Sequence, residues 1–450
     1  MKNLSITLTF ILFSVSVFAT HLESVKSGEI IYAVEPTNSR KINISLILYR
    51  EVAGSDFSTA SLDFGDGSSI QNLQASSREP ITEDIEKVTF STSHVYSSIG
   101  KYVISFYGEY RNKGILNMGK VDLVPFYFET SVIIDPFLAA NSSPVFLSGP
   151  IGQYNIGDEI RFNMGGYDAD EDILRYDLIN PKVSENESVP NYKFEGAKIH
   201  PITGEFVWAH IPSKGRYTFA VRVKEYRDGL VISHVIRDFL IDVVESSSPS
   251  DLSIENRNEL DINDQNLVTV YTSNLLTIAI RLNKTGSSAN LLGYSEVLVN
   301  IPEADFIVED KGDHLLGTFS VDPQLITERD EPYILYFRGI IDSYSSDLTI
   351  ALNTKEGYVL EELPTGFRQK ESERSHIFPN PARGFFNIIC NTPPPYLVQI
   401  LDQNGQELIN SKTERAAFEY NHEGIQKGVY VYSIFNSKGD LIMRGKLFQE

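Results

Sequence analysis

Three aspartates at alternate positions are the residues of this sequence whose spacing most clearly suggests chemistry. Asp168, Asp170 and Asp172 belong to the run Asp-Ala-Asp-Glu-Asp. Carboxylates two residues apart in an extended or looped segment can direct oxygens at one hard cation, and Ca²⁺ takes six to eight oxygen ligands. The spacing predicts a calcium site with these three ligands and no other cofactor. A solvated acidic turn is the alternative interpretation.

The aspartate run is not an EF-hand. In that motif the sixth position must be glycine and the twelfth a bidentate glutamate. Counting from Asp168, those positions are Ile173 and Ile179. A calcium site here would therefore have to take further ligands from elsewhere in the chain.

Short motifs typical of catalysis are missing from the sequence. It contains no G-x-S-x-G elbow, no H-E-x-x-H and no phosphate-binding glycine loop, and its eight histidines are scattered. We therefore predict no catalytic residues and no enzymatic activity. The alternative left open is a polysaccharide-acting enzyme with its site in residues 250–365, because sequence alone cannot place two carboxylates across a sugar.

Length and charge narrow the function classes. The chain has 450 residues, enough for three or four domains, and its 60 acidic against 39 basic residues give a net charge of −21. Such a field repels polyanions, so nucleic acid is excluded as a partner. The same acidity suits an exported protein and the binding of cations.

The N-terminus has the pattern of a secretory signal peptide over residues 1–19. Lys2 precedes an apolar run from Leu4 to Phe18, and Val17-Phe18-Ala19 matches the small-x-small pattern before a cleavage point, here after Ala19. No later stretch reaches the roughly 20 apolar residues that span a bilayer, so no transmembrane helix is expected in the mature chain. Cys390 is the single cysteine and excludes an intrachain disulfide, which favours a large bacterial exported protein.

Alternating apolar and polar residues predict β-strands along most of the chain, as at residues 42–49, 102–106 and 217–223. No long segment has helical periodicity, so helices should be short or absent. The predicted fold class is all-β, with tandem immunoglobulin-like β-sandwich domains ending in a small β-sandwich. Breaker-rich stretches at 139–144 and 245–250, and a charged run at 368–374, suggest the boundaries. The predicted units are residues 20–140, 145–245 and 250–365, a linker at 366–375, and a final module at 376–450.

Two of these units resemble known modules. In the first, Leu62–Gly67 with the sequence LDFGDG, followed by His94 and Tyr96, resembles the PKD-type immunoglobulin-like domain. Gly65 and Gly67 suit a tight turn whose own amides the aspartates can bind. In the second, the aspartate run and the strand around Trp208 are similar to cadherin-like bacterial domains. The third unit, 250–365, matches no pattern.

The final module resembles the type A C-terminal sorting domain of the Bacteroidetes type IX secretion system along residues 376–450. The sequence FPNPA, the hairpin signal Asn404-Gly405 and the strand GVYVY carry the resemblance. It implies a sorting signal, and it implies the type IX machinery as a partner. The residues carried over are Pro379, Asn380, Pro381, Gly405, Gly428, Tyr430 and Lys446.

These features together predict an exported binding or adhesion protein, displayed on the surface of a Gram-negative, Bacteroidetes-like bacterium or secreted by way of the periplasm. PKD-like and cadherin-like modules usually serve as spacers and binding surfaces, so the resemblance implies a glycan or protein ligand of unknown identity. A purely structural spacer without a ligand is the alternative, beside the polysaccharide-acting enzyme.

Overall fold

The chain folds into two compact units, Met1–Pro364 and Thr365–Glu450. A computed structural model describes residues 25–54, 58–108, 111–118, 124–136, 138–149, 152–193, 196–209, 211–245, 252–271, 274–355, 360, 376–378, 385–389, 396–402, 407–413, 417–421, 428–436 and 441–449. Strands dominate these residues, and their single α-helix has five residues, so the all-β prediction with short helices is confirmed. The predicted signal peptide and linker lie outside the described residues.

The N-terminal segment, residues 25–136, forms a two-layered β structure. Its apolar core lies between strands β1, β2 and β6 on one side and β3, β7 and β8 on the other. The alternation noted at residues 42–49 places Ile42, Ile44, Leu46 and Leu48 in this core. The strands are β1 Val25–Glu35, β2 Asn38–Glu51, β3 Thr59–Asp63, β4 Ser69–Gln74, β5 Ser77–Pro80, β6 Ile85–Val95, β7 Gly100–Gly108 and β8 Phe126–Ile134, with a 3₁₀ turn at Leu116–Met118.

The middle segment, residues 145–245, encloses a second core rich in aromatic rings. Trp208 is buried there against Tyr217 and Phe219. The strands are β9 Val145–Phe146, β10 Gln153–Asn155, β11 Ile160–Asn163, β12 Gly166–Tyr167, β13 Ile173–Ile179, β14 Lys182–Ser184, β15 Glu187–Ser188, β16 Ala197–Ile199, β17 Glu205–Trp208, β18 Gly215–Arg227 and β19 Leu230–Val244.

The third segment, residues 252–355, encloses a third core between a four-stranded sheet, β20-β22-β25-β24, and the layer of β23, β26 and β27. Its strands are β20 Leu252–Ile254, β21 Leu267–Thr269, β22 Leu276–Asn283, β23 Ala289–Ser295, β24 Asp305–Asp310, β25 His314–Val321, β26 Tyr333–Ile341 and β27 Tyr344–Asn353. Helix α1 is Glu296–Asn300, and 3₁₀ turns lie at Arg257–Glu259 and Pro323–Leu325.

Strands of the three segments pair with one another, so the segments are not structurally separate domains in tandem. Strand β19 pairs with β18 of its own segment and also with β1 and β8 of the N-terminal segment. Strand β10 runs parallel to both β19 and β27, which joins the middle and third segments. The result is one sheet of 16 strands across all three cores. Where each domain begins and ends stays a prediction.

Buried ion pairs lie at the joins between segments. Arg237 of β19 binds both oxygens of Glu29 of β1, at 2.9 and 2.7 Å, and both side chains are almost fully buried. Arg111 binds Asp238 in the same two-pronged way, at 2.8 and 2.6 Å. Such pairs require a unique alignment of the two segments, because a buried charge without its partner is strongly destabilising.

The second unit contains two sheets. A three-stranded sheet has the order β28-β29-β32, and a four-stranded sheet has the order β31-β30-β33-β34. The strands are β28 His376–Phe378, β29 Phe385–Ile389, β30 Tyr396–Leu401, β31 Glu407–Thr413, β32 Ala417–Asn421, β33 Gly428–Phe435 and β34 Leu441–Gln449. Within the described residues, no helix is long and apolar enough to cross a membrane.

Candidate metal site at the junction of the first two segments

The three predicted aspartates lie together in the loop between β12 and β13. A fourth acid, Glu225 of β18, joins them, and one carboxylate oxygen from each of the four lies within 4.8 Å of the others. We call these four residues the acidic cluster. Every potential ligand atom is a carboxylate oxygen, a donor set that suits a hard cation such as Ca²⁺ better than Zn²⁺, whose structural sites use cysteine and histidine.

The loop folds around the first aspartate. One oxygen of Asp168 accepts hydrogen bonds from the backbone N–H groups of Asp170 and Asp172, at 2.9 and 3.0 Å. Glu171, between them, has a positive φ of 63°, which turns the chain so that alternate carboxylates face the same side. The alternate spacing of the three aspartates thus brings their carboxylates together through a turn that Asp168 itself stabilises.

Two buried oxygens of the cluster have no hydrogen-bond partner. They are Oδ2 of Asp168, a residue only 6% exposed, and Oε1 of Glu225, which is fully buried. An unpaired buried carboxylate oxygen carries a desolvation cost of about 1–3 kcal/mol or more. A cation bound between these two oxygens would remove that cost, so the residues present fit Ca²⁺.

The cluster also touches the connection between the N-terminal and middle segments, residues 138–144. The backbone N–H of Ser142 donates to Asp170 at 2.6 Å, and the side-chain amide of Asn141 donates to Glu225 at 3.0 Å. Arg227 binds Asp172 and also donates to Asn141 at 2.6 Å. A cation here would therefore stabilise the join of two segments as well as a loop.

Burial shifts the protonation of the two inner acids. Desolvation, followed by repulsion from Asp168, raises the pKa of Glu225 to about 9. Desolvation, opposed by hydrogen bonds from the loop backbone, raises the pKa of Asp168 to about 6. Without a metal, Glu225 therefore holds a proton at neutral pH, and that proton offsets part of the charge that a cation would otherwise neutralise.

We expect the metal-free chain to lose stability as the pH rises from about 5 to about 9. Unfolded Glu225 ionises near its ordinary pKa of 4.5, whereas the native side chain keeps its proton up to about pH 9. The native state thus binds more protons in this window, and stability falls with pH by up to about 1.4 kcal/mol per unit for one proton. The measurement is the melting temperature against pH in a chelating buffer.

The matched control for this prediction is Glu225→Gln, which keeps the shape of the side chain and removes the titration. Its melting temperature should fall less steeply than that of the parent over the same window. Parallel curves for the two proteins would show that Glu225 ionises alike in the native and unfolded states, contrary to this prediction.

The alternation of residues along β18 is the sequence signal that points to Glu225. Val221, Val223 and Glu225 follow one another on the inward face of β18, and all three are fully buried. A carboxylate in the apolar register of an alternating strand is rarely buried unless it is paired or binds a metal. A register shift in the pairing of β18 with β19 falls between Glu225 and Tyr226, the kind of irregularity that re-aims side chains.

The aspartates of the LDFGDG turn accept hydrogen bonds from the backbone of that same turn. Asp63 accepts from the N–H of Gly65 at 2.7 Å, and Asp66 accepts from the N–H of Ser68 at 3.0 Å. The other oxygen of Asp66 lies 2.8 Å from Nε2 of His94, whose ring stacks on Phe64. These contacts support a structural role for the motif.

A serine, a histidine and a glutamate line up between β8 and β19 without forming a catalytic site. Oγ of Ser131 lies 2.9 Å from Nδ1 of His234, and Nε2 of His234 lies 3.2 Å from Glu129. Ser131 is fully buried, and its Oγ also accepts from the backbone N–H of His234 at 3.1 Å. A substrate cannot reach this hydroxyl, so the arrangement does not support acyl transfer.

The predicted sorting residues are partly described. Gly428 begins β33, Tyr430 is buried in the same strand, and Lys446 lies on β34 opposite Val431. These three positions therefore occupy neighbouring antiparallel strands of the four-stranded sheet. Pro379, Asn380, Pro381 and Gly405 lie outside the described residues.

Comparison with known proteins identifies the C-terminal region. Residues 376–446 match the family model described as the secretion system C-terminal sorting domain. No curated protein matches the chain in sequence.

Solved structures that resemble the chain do so loosely. The N-terminal eight Ig domains of Down Syndrome Cell Adhesion Molecule (DSCAM) isoform 1.30.30 are 11% identical with a TM-score of 0.18, over 94% of this chain and 49% of that one. The ICAM-5 D1–D4 ectodomain fragment is 10% identical with a TM-score of 0.15, over 92% of this chain and 96% of that one. Zebrafish RET cadherin-like domains 1 to 4 are 9% identical with a TM-score of 0.16, over 89% and 93%. This chain thus spans about half of the length of the DSCAM fragment.

Proposed function

We propose a function from the premise that this chain carries a type IX secretion C-terminal sorting domain and is exported to the cell surface or the medium. Its first unit is then a calcium-stabilised binding or adhesion module. The observation that carries the calcium part is the pair of buried, unpartnered oxygens of Asp168 and Glu225. Calcium is abundant outside cells, so a site that needs it would be filled after export.

The bound cation would stiffen the connection between the N-terminal and middle segments. The acidic cluster contacts the connection 138–144 through Ser142 and Asn141, and Asn141 also reaches Tyr32 of β1 at 3.2 Å. Neutralising the cluster removes repulsion at the point where two segments meet. A stiff join of this kind suits a protein that presents a binding surface away from the cell.

The polysaccharide-acting enzyme receives less support than binding. A cavity borders the third segment, and two of its six carboxylates, Glu296 and Glu331, each bind an arginine, Arg329 and Arg175 respectively. A glycosidase needs two carboxylates placed on either side of a bound sugar, and these two are held by ion pairs instead.

We expect added Ca²⁺ to raise the melting temperature of the mature chain. Binding to the native state alone contributes about 2.7 kcal/mol when the free ion is 100-fold above its Kd. Asp170→Ala and Glu225→Gln should lose most of this response. Asp264→Asn, which changes an exposed acid of the third segment, is the matched control and should respond like the parent. An unchanged melting temperature for the parent, or a parental response from Asp170→Ala, would contradict the calcium site.

The binding function itself is tested with a glycan and matrix-protein array probed with the mature chain. Saturable binding to one ligand class supports adhesion. Cleavage of a glycan without stable binding would favour the enzyme alternative. If the folded protein neither bound nor cleaved any ligand, a structural spacer would be the remaining function.

A further inference from the structure

Two basic and two acidic side chains meet where strands β1, β2, β18 and β19 come together. Lys26 of β1 contacts Oδ2 of Asp242 on β19, and its Nζ also lies 3.4 Å from Glu51 at the end of β2. Arg216 of β18 lies 3.2 Å from Oδ1 of Asp242 and 2.7 Å from Glu51. We call these four residues the lysine–aspartate site. It joins the N-terminal segment to the middle segment.

The backbone holds the lysine and the aspartate of this site in place. Both neighbours of Lys26 along β1 are fully buried. Asp242 belongs to a strand that is paired on both sides, with Arg216 of β18 and Gln153 of β10 as its register partners. The two residues therefore cannot move apart unless the strand pairing breaks, and their side chains stay in contact.

Solvent has little access to this contact. The side chains of Lys26 and Asp242 are 15% and 13% exposed. In the other lysine–aspartate ion pairs of the described residues the aspartate is 37%, 62% or 81% exposed. An amine and a carboxyl group that are held together react as one molecule, with effective concentrations that reach about 10⁵–10⁸ M in well-oriented cases. Among these pairs, Lys26 and Asp242 alone combine contact with a largely covered carboxyl group.

We propose that Lys26 and Asp242 form an isopeptide bond. The lysine Nζ attacks Cγ of the aspartate, so a C–N bond forms while the bond from Cγ to Oδ2 breaks. Two of the three ammonium protons leave with Oδ2 as a water molecule, the first passed directly across the Lys26–Asp242 contact and the second carried by Glu51. The charges of the lysine and the aspartate cancel, and no oxidant, reductant or further reactant is needed.

The other two side chains have the positions that this condensation requires. Glu51 is close enough to Nζ to accept a proton from it and to pass that proton to the leaving oxygen. Arg216 faces Oδ1, the oxygen that becomes negatively charged when the nitrogen adds to Cγ, and its guanidinium stabilises that charge. The same arginine favours the ionised carboxylate before the reaction, so the bond forms slowly after folding. After the reaction, Arg216 and Glu51 remain as a balanced ion pair.

The isopeptide bond fixes the first strand of the N-terminal segment to the last strand of the middle segment. Lys26 and Asp242 are 216 positions apart, so the amide closes a loop of that length in the unfolded chain. Such a cross-link restricts the unfolded chain, as a disulfide of the same span does, and raises the melting temperature. The bond goes beyond the proposed calcium site and does not depend on it, because none of the four residues belongs to the acidic cluster.

The test is mass spectrometry of the folded mature chain, incubated for a week and then denatured. We expect an intact mass lower than the sequence mass by one water molecule, and a tryptic digest in which the peptides of Lys26 and Asp242 form one branched species. Lys26→Arg keeps the ion pair but not the reactive amine, so this variant should keep its full mass and melt at a lower temperature. Glu51→Gln should slow the loss of water by about 100-fold or more. The matched control is Lys284→Arg, at an exposed pair with Asp310, which should lose water like the parent.

Three results would overturn the isopeptide bond. One is a folded parent chain that keeps its full sequence mass after the incubation. Another is a loss of water that persists in Lys26→Arg. The third is a loss of water that maps to Asp228-Gly229, because an aspartate before glycine can also lose water by closing a cyclic imide with the next backbone nitrogen.

Discussion

A chain that lacks residues 376–450 is expected to remain inside the outer membrane, whereas the parent reaches the cell surface or the medium. The missing residues contain the region that matches the secretion system C-terminal sorting domain. They belong to a compact unit of their own, and the three apolar cores described in the first unit are built from residues of that unit. Export should therefore be lost while the rest of the protein still folds.

Cell fractionation and surface protease digestion in a Bacteroidetes host would measure this result. Fusion of residues 376–450 to a reporter with a signal peptide should bring the reporter to the surface. The matched control joins residues 20–364 to the same reporter, which should then stay inside. Parental surface levels of the truncated chain would contradict the sorting assignment, and the module would then be an ordinary terminal β domain.

Arg237→Met is expected to destabilise the first unit by roughly 3–5 kcal/mol, because it leaves Glu29 charged and buried without its partner. Arg237 is 1% exposed, donates to both Glu29 oxygens and to the carbonyl of Ser148, and lies 3.8 Å from the ring centre of Phe146. The substitution thus affects the contact between the N-terminal and middle segments. Urea denaturation would show the lost stability as a lower midpoint of unfolding, with an unchanged dependence of the free energy of unfolding on urea concentration.

Arg161→Met is the control for Arg237→Met. The Arg161 side chain is 44% exposed and pairs with Glu159, itself 41% exposed, and at 3.4 Å with Glu205, so solvent screens the arginine in both interactions. Loss of such a surface pair costs about 0–1 kcal/mol. The double variant Glu29→Gln with Arg237→Met should recover part of the lost stability, because it removes the stranded charge. Equal losses for Arg237→Met and Arg161→Met would show that the buried pair does not hold the segments together.

Features that depend on neighbouring residues were predictable from the sequence. The alternation of β2 predicted which residues face its core, and the loop with Asp168, Asp170 and Asp172 brings together the acids whose spacing suggested it. The sorting domain was recognisable for the same reason, since its turns and strands are defined by short runs such as the one beginning at Gly428. Local spacing carries this information because side chains two residues apart share a face of a strand.

The fourth acid, the shared sheet and the cavity depended on contacts between residues far apart in the chain. Glu225 meets Asp168 only because β13 pairs with β18, and the pairing of β19 with β1 joins segments that the sequence presents as separate. The Tyr336 hydroxyl meets Gly165 only when the middle and third segments pack together. The sequence by itself thus determined the strands, the aspartate loop and the export module. Tertiary structure decided which distant groups are buried together, because burial depends on the packing of the whole unit and not on local spacing.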